Sequence, residues 1–195
     1  MRSLCNWLYK NNCIVDNPIS KVSPPRRQRK LLPATSKEQL ETILGKAVCF
    51  RDKCIIRLLF DSGIRVSEIA RIQASDFNWD DATVVILGKG NKQRRAIFTN
   101  HTAIMLKEWF KEYDSFGISM AGIQTMLKRL AKDTGIPCHP HSFRTGFCVH
   151  QVKQGLSTRV VQALGGWENI TMVERYSKSL SFDDAFRLDQ QVNGR

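Results

Sequence analysis

Four short stretches carry basic or hydrogen-bonding side chains at the ends of expected elements. They are Gly63-Ile64-Arg65-Val66-Ser67-Glu68, Gly88-Lys89-Gly90-Asn91-Lys92, His141-Ser142-Phe143-Arg144, and Gly166-Trp167 with Glu174-Arg175-Tyr176. Arg65 follows a glycine break and opens a helix with Glu68 one turn later, an arrangement suited to a guanidinium aimed at a phosphate and held by a carboxylate. Lys89 lies in a turn whose glycines let the backbone press close to another surface. His141 and Arg144, at i and i+3 after Pro140, set a proton-transfer group beside a phosphate clamp. Tyr176, between Arg175 and Lys178, is a potential nucleophile in a basic setting. Each stretch alone also has a plainer reading: a surface ion pair, a solvated lysine, ordinary surface chemistry, a tyrosine ring packed on the core.

The elements that must position these residues follow from patterning. Ser36 with Gln39 is a capping-box signal for a helix bearing Leu40, Ile43 and Leu44 on one face. A second helix is expected over 51–62, apolar at Ile55, Leu58 and Leu59 and ending at Gly63, and a short one over 66–72. Thr83 to Leu87, a Gly/Lys turn over 88–92, and Arg95 to Thr99 read as a β-hairpin. Helices resume from about Thr102: Ile123, Met126, Leu127 and Leu130 fall at i, i+3, i+4 and i+7, and further helices are expected over 142–154, 158–164, 171–178 and 182–192. The fold class is α+β, mainly helical, with a small antiparallel sheet.

Residues 1–33 differ in kind from 34–195. In the first 30 residues seven basic side chains, including Arg26 and Arg27, stand against Asp16 alone, and Pro18, Pro24, Pro25 and Pro33 break regular structure. This predicts one short helix over 2–11, with Leu4, Leu8 and Trp7 lacking upstream partners, and then a basic linker. Across all 195 residues 30 Lys and Arg against 18 Asp and Glu give a net charge of +12, which favours a polyanionic partner. A hydrophobic content of 42% and a charged content of 25% argue against disorder and fibrous classes. No apolar run approaches the roughly 18 residues of a membrane span and no signal-peptide pattern opens the chain, so no membrane association and a cytoplasmic location are expected. The six cysteines make no CxxC pair, and Cys138-His139-Pro140-His141 has no second pair at ligand spacing; reduced thiols, no metal and no cofactor are expected.

Taken together, the four stretches resemble the tyrosine recombinase, or phage integrase, family. The order Arg65, Lys89, His141, Arg144, Trp167, Tyr176 matches, as do the spacings: 24 residues from Arg65 to Lys89, 23 from Arg144 to Trp167 and 9 from Trp167 to Tyr176. The resemblance covers about 35–181 and implies that family's catalytic-domain fold. Residues 2–19 resemble the end of its N-terminal core-binding domain, so the chain reads as an integrase lacking most of that first domain. Two departures stand out. Position 167 is most often His in the family and is Trp here, still able to donate an indole N–H to a phosphate oxygen or to support the site by packing. The stretch 114–120 is short, as though a DNA-facing loop or small strand were trimmed.

The resemblance implies a mechanism needing neither ATP nor metal. Arg65 and Arg144 hold the non-bridging oxygens of a DNA phosphate, with Glu68 orienting Arg65. Lys89 protonates the leaving 5′ oxygen, His141 accepts the phenol proton, and Tyr176 becomes linked to the 3′ phosphate. Double-stranded DNA is the expected partner, with Arg26, Arg27, Lys89, Lys92, Arg94 and Arg95 against its backbone, and Gln151, Lys153 or Arg159 near its grooves. The last helix, through Phe182, Phe186 and Leu188, either docks on a neighbouring protomer in a tetrameric synapse or packs on its own domain. Two other readings stay open: a DNA-binding fragment or regulator without chemistry, and a type IB topoisomerase-like enzyme.

Overall fold

The structure, a computed structural model, describes residues 2–23, 33–88, 93–177 and 181–193. The chain divides into two units, Met1–Lys30 and Leu31–Arg195. In the first, helix α1 (Arg2–Lys10) is braced by its own following loop: the Arg2 guanidinium donates to the carbonyls of Ile19 and Val22, and Asn17 donates to Asn6 at 2.7 Å. Leu4 and Trp7 are exposed and Leu8 is half-buried. The proline-rich basic stretch with Arg26 and Arg27 lies outside the described residues.

The first helix of the second unit begins where the capping box predicts. Gln39 N–H donates to Ser36 Oγ at 3.2 Å and Ser36 N–H to Gln39 Oε1 at 3.0 Å, opening α2 (Lys37–Lys46) and burying Leu40, Ile43 and Leu44. Helix α3 (Phe50–Ser62) stops at Gly63, whose φ of 58° is left-handed and whose added Cβ would lie 2.5 Å from the Phe147 ring. Helix α4 (Val66–Ile69) is one turn, shorter than its apolar pattern suggests. The chain is diverted by other bonds: Gln73 N–H caps onto Asp76 at 2.9 Å, and Ala74 N–H donates to Asp114 O at 2.8 Å. Ile72 stays in the core without being helical.

A three-stranded antiparallel sheet follows, β1 (Phe77–Asn78), β2 (Thr83–Leu87) and β3 (Gln93–Ile97), in that order. β3 begins two residues before the expected Arg95 and gives up Thr99, which caps α5 (Asn100–Phe110) by accepting from Thr102 N–H and donating to Asp61 at 2.5 Å. The register pairs Val84 with Ala96 and Ile86 with Arg94, so strand alternation turns Val84, Ala96, Ile86 and Arg94 to one face, and Val85 and Arg95 to the other. β1, two residues long, carries no readable alternation. The short 114–120 stretch is used structurally: Ser115 bridges Gln73 and Phe116 is buried.

Helix α6 (Met120–Thr134) buries Ile123, Met126, Leu127 and Leu130. Then come α7 (Pro140–Lys153), α8 (Thr158–Gly165), α9 (Ile170–Ser177) and α10 (Phe182–Asn193), within a residue or two of expectation. Two apolar clusters result. The larger joins α2, α3, α5, α6 and the sheet; the smaller joins Phe147, Cys148, Val152, Val161, Trp167, Val173 and Tyr176 of α7, α8 and α9 and the turn between them. Helix α7 belongs to both, with Phe143 in the first and Phe147 in the second. Cys54, Cys138 and Cys148 are buried free thiols, with Cys148 pushed up to about 12 by burial. Among the described residues no helix is long and apolar enough to cross a membrane.

Candidate active site

Arg65 sits immediately before the first turn of α4, in extended conformation, and Glu68 folds back on it. Arg65 N–H donates to Glu68 Oε2 at 2.7 Å and its guanidinium to Oε1 at 2.8 Å. Glu68 is buried while the Arg65 side chain is 46% exposed, so the pair has a fixed end and a presented end. Burial raises the Glu68 carboxyl, but the Arg65 backbone, Arg94 and the Arg65 side chain outweigh it and hold the group below its ordinary value. Glu68 therefore stays anionic and holds Arg65 through both its backbone N–H and its guanidinium.

Arg144 leaves α7 into the seam between the two cores and is 5% exposed. Its guanidinium donates to Gly63 O, where α3 ends, and to Gly165 O at 2.7 Å, where α8 ends. The Trp167 ring lies under it, 4.2 Å from Cζ, and is itself stacked on Phe147. Burial, then Arg65 and Arg94, push Arg144 down to about 10, still protonated at neutral pH. Among the described residues it has no carboxylate within ion-pair distance, so a buried cation faces carbonyl dipoles and an aromatic face. A buried guanidinium so placed makes this seam a candidate anion site.

His141, one turn before Arg144, presents Nε2 to the Tyr176 hydroxyl at 3.0 Å, the rings meeting edge to face. The Tyr176 ring packs with Val173 on the smaller core, while its hydroxyl reaches His141. Burial raises the phenol above its ordinary value, partly offset by a Thr145 hydrogen bond. Burial, and then Arg144, lower His141, so the imidazole is neutral at pH 7 and able to accept a proton.

The structure thus brings Arg65, Glu68, His141, Arg144, Trp167 and Tyr176 together. Lys89 and Lys92 lie outside the described residues, as do Arg26 and Arg27. Arg94 turns inward, donating to Glu68 at 3.0 Å with its side chain 18% exposed, whereas Arg95 faces solvent and bonds Asp81 at 2.7 Å and Thr83 at 2.9 Å. Arg159 is exposed in the first turn of α8 and Gln151 is half-buried; Lys153 is held by Asp184 of α10 at 3.0 Å. From the sequence Arg94 is expected on the DNA backbone rather than in this cluster, and the Gly63 and Gly165 carbonyls are assigned no part in it; the structure puts all three around Glu68 and Arg144. Alternation through Ala96 and Arg94 carries the first; the carbonyls have no sequence signal. On α10, Phe182 and Phe186 stack on each other, 81% and 51% exposed, while Leu188 meets Gly155.

The family model described as Phage integrase family matches residues 33–181, more than half of the chain. The tyrosine recombinase XerC of Neisseria gonorrhoeae (strain ATCC 700825 / FA 1090) is 29% identical, the match covering 100% of this chain and 70% of that protein. The XerC of Vibrio cholerae serotype O1 (strain ATCC 39541 / Classical Ogawa 395 / O395) is 25% identical over 100% of this chain and 69% of its own length. Among solved structures, the XerH site-specific recombinase bound to palindromic difH substrate is similar at TM-score 0.74 and 21% identity, covering 97% of this chain and 63% of that one. The Tn1549 transposon integrase in complex with transposon right end DNA is similar at TM-score 0.73 and 17% identity, covering 98% and 76%. The matched span contains every side chain of the cluster around Arg144, and the chain belongs to the phage integrase family.

Proposed function

We propose that this chain is a site-specific DNA recombinase that cuts and rejoins strands through Tyr176. The observation that carries the reading is the Tyr176 hydroxyl 3.0 Å from a neutral imidazole, one helical turn from a buried guanidinium that has no carboxylate partner among the described residues. A phosphodiester resists attack because its anionic oxygens repel nucleophiles and its alkoxide leaves poorly. Arg144 and Arg65 take the two non-bridging oxygens, and Trp167 keeps Arg144 in plane. The phenol oxygen bonds to phosphorus as its proton passes to His141; the bond to the 5′ oxygen breaks, and Lys89 supplies that oxygen's proton. The product is a 3′-phosphotyrosyl link and a free 5′ hydroxyl, and attack by another strand's 5′ hydroxyl reverses the sequence, with Tyr176 as leaving group.

Double-stranded DNA is the partner, with Arg95, Arg159 and the basic residues Arg26, Arg27 and Lys92 as backbone contacts, and the reaction belongs in the cytoplasm. The exposed Phe182–Phe186 ring pair supports self-association through α10 into a synaptic tetramer. Residues 1–33 serve as the end of a core-binding domain and its linker, and 34–195 as the catalytic domain. The test is capture of covalent adduct from a pool of nicked duplexes of randomised sequence, on which a cut strand cannot be resealed. The wild-type chain is expected to form an adduct stable to denaturant and Tyr176→Phe to bind the pool without forming one; an adduct persisting in Tyr176→Phe rules the assignment out. A two-site exchange assay beside supercoil relaxation then separates recombination from relaxation.

A further inference from the structure

Arg94 stands apart from its neighbour Arg95 because its strand position points it into the molecule, where it touches both halves of the site. Its Nη2 donates to Glu68 Oε2 at 3.0 Å, the same oxygen that accepts from Arg65 N–H. Its Nη1 reaches the carbonyl of Leu164 at 3.5 Å, in the last turn of α8. The stem lies flat against Gly166: a Cβ there would stand 2.6 Å from Arg94 Cδ and Nε, and Gly166 has a left-handed φ of 62°. Only glycine meets both demands, so the turn into Trp167 and the Arg94 stem are fitted to each other. One residue back from that turn, Gly165 O anchors Arg144, and one residue on, Trp167 underlies it.

We infer that Arg94 is a positioning residue for strand cleavage rather than a contact to the DNA backbone. It ties the carboxylate that orients Arg65 to the turn that holds Arg144, and so fixes the separation of the two guanidinium groups that straddle the phosphate. A surface phosphate contact would leave this arginine exposed and mobile; instead it is desolvated, and its Nε has no acceptor among the described residues. Burying a guanidinium with one N–H unmet works against stability, and the geometry it secures is of use only while charge develops on the phosphate.

The inference rests on the recombinase reading, and the test keeps the two apart. The duplex recovered by covalent capture with the wild-type chain serves as substrate, and single-turnover cleavage at saturating DNA is measured beside affinity and its salt dependence. Arg94→Met is expected to slow cleavage at saturation by roughly 10- to 100-fold, with affinity within about twofold and an unchanged salt slope. Arg94→Lys, which keeps the charge and loses the second arm, is expected to fall between, and it carries the test if Arg94→Met does not fold. In a Glu68→Gln background the Arg94 substitution should cost far less than in the wild type, because both act on Arg65. Weakened affinity with a shallower salt slope and unchanged cleavage, or full additivity with Glu68→Gln, overturns the inference. Absence of any adduct with the wild-type chain would instead remove the recombinase reading on which it stands.

Discussion

Arg144 gathers more of the site than any other residue. It joins the ends of α3 and α8 through Gly63 O and Gly165 O, lies on Trp167, and takes its charge into a desolvated seam. Arg144→Lys keeps the charge but cannot reach both carbonyls and a phosphate at once, so cleavage should fall by about 100-fold or more while DNA affinity changes much less. Single-turnover rates set against binding isotherms check this. His141 sets the pH response. Its folded value lies below the ordinary 6.5, so cleavage should climb with pH through a midpoint on the acid side of 6.5 and then level off. A rate that instead fell steadily over that range would mean that the protonated imidazole is the working form. The order and spacing of Arg65, His141, Arg144 and Tyr176 were legible in the sequence because each sits at a helix start or on a helix face. The support beneath them was less so, since it consists of backbone carbonyls and of a stacking contact between residues 23 apart.

At the scale of elements, positions are set by helix ends. α3 must stop at residue 63 for its carbonyl to receive Arg144, and Gly63 allows this by adopting a left-handed φ where the Phe147 ring leaves no room for a side chain. Gly63→Ala should destabilise the domain by about 2–4 kcal/mol, from the left-handed backbone and the forced ring movement together. Denaturant melts give the value; a loss under about 0.5 kcal/mol would show that the close approach is not maintained. Capping and helical periodicity made α2, α3, α6 and α7 readable, because Ser36, Gly63 and the 123–130 stripe act locally. The ends of α4 and β3 were misplaced for a tertiary reason: Asp114 O and Asp61 recruit Ala74 and Thr99 from far along the chain. Starting β3 at Arg95 is what hid Arg94, since the inward face is defined by its pairing with Ile86.

For the molecule as a whole, the excess of 30 basic over 18 acidic residues makes DNA binding salt dependent, with log affinity falling linearly in log salt by about 0.9 per phosphate neutralised. Stability also depends on pH. His141 and His150 are both lowered by burial, with Arg144 and Lys37 respectively adding to it, so between their folded values and 6.5 the unfolded chain binds more protons. Stability should therefore be full above pH 6.5 and decline on acidification through that window, flattening below the folded values; melts across that range would show a constant midpoint if neither ring were shielded. The exposed Phe182–Phe186 pair makes α10 the element whose removal should weaken self-association on DNA before it weakens folding. All of this turns on one covalent bond. The direct measurement is mass spectrometry of the trapped adduct after nuclease and protease digestion. The account predicts a nucleotide remnant on the peptide containing Tyr176, attached through its 3′ phosphate; a remnant on any other residue, or one attached through a 5′ phosphate, would contradict it.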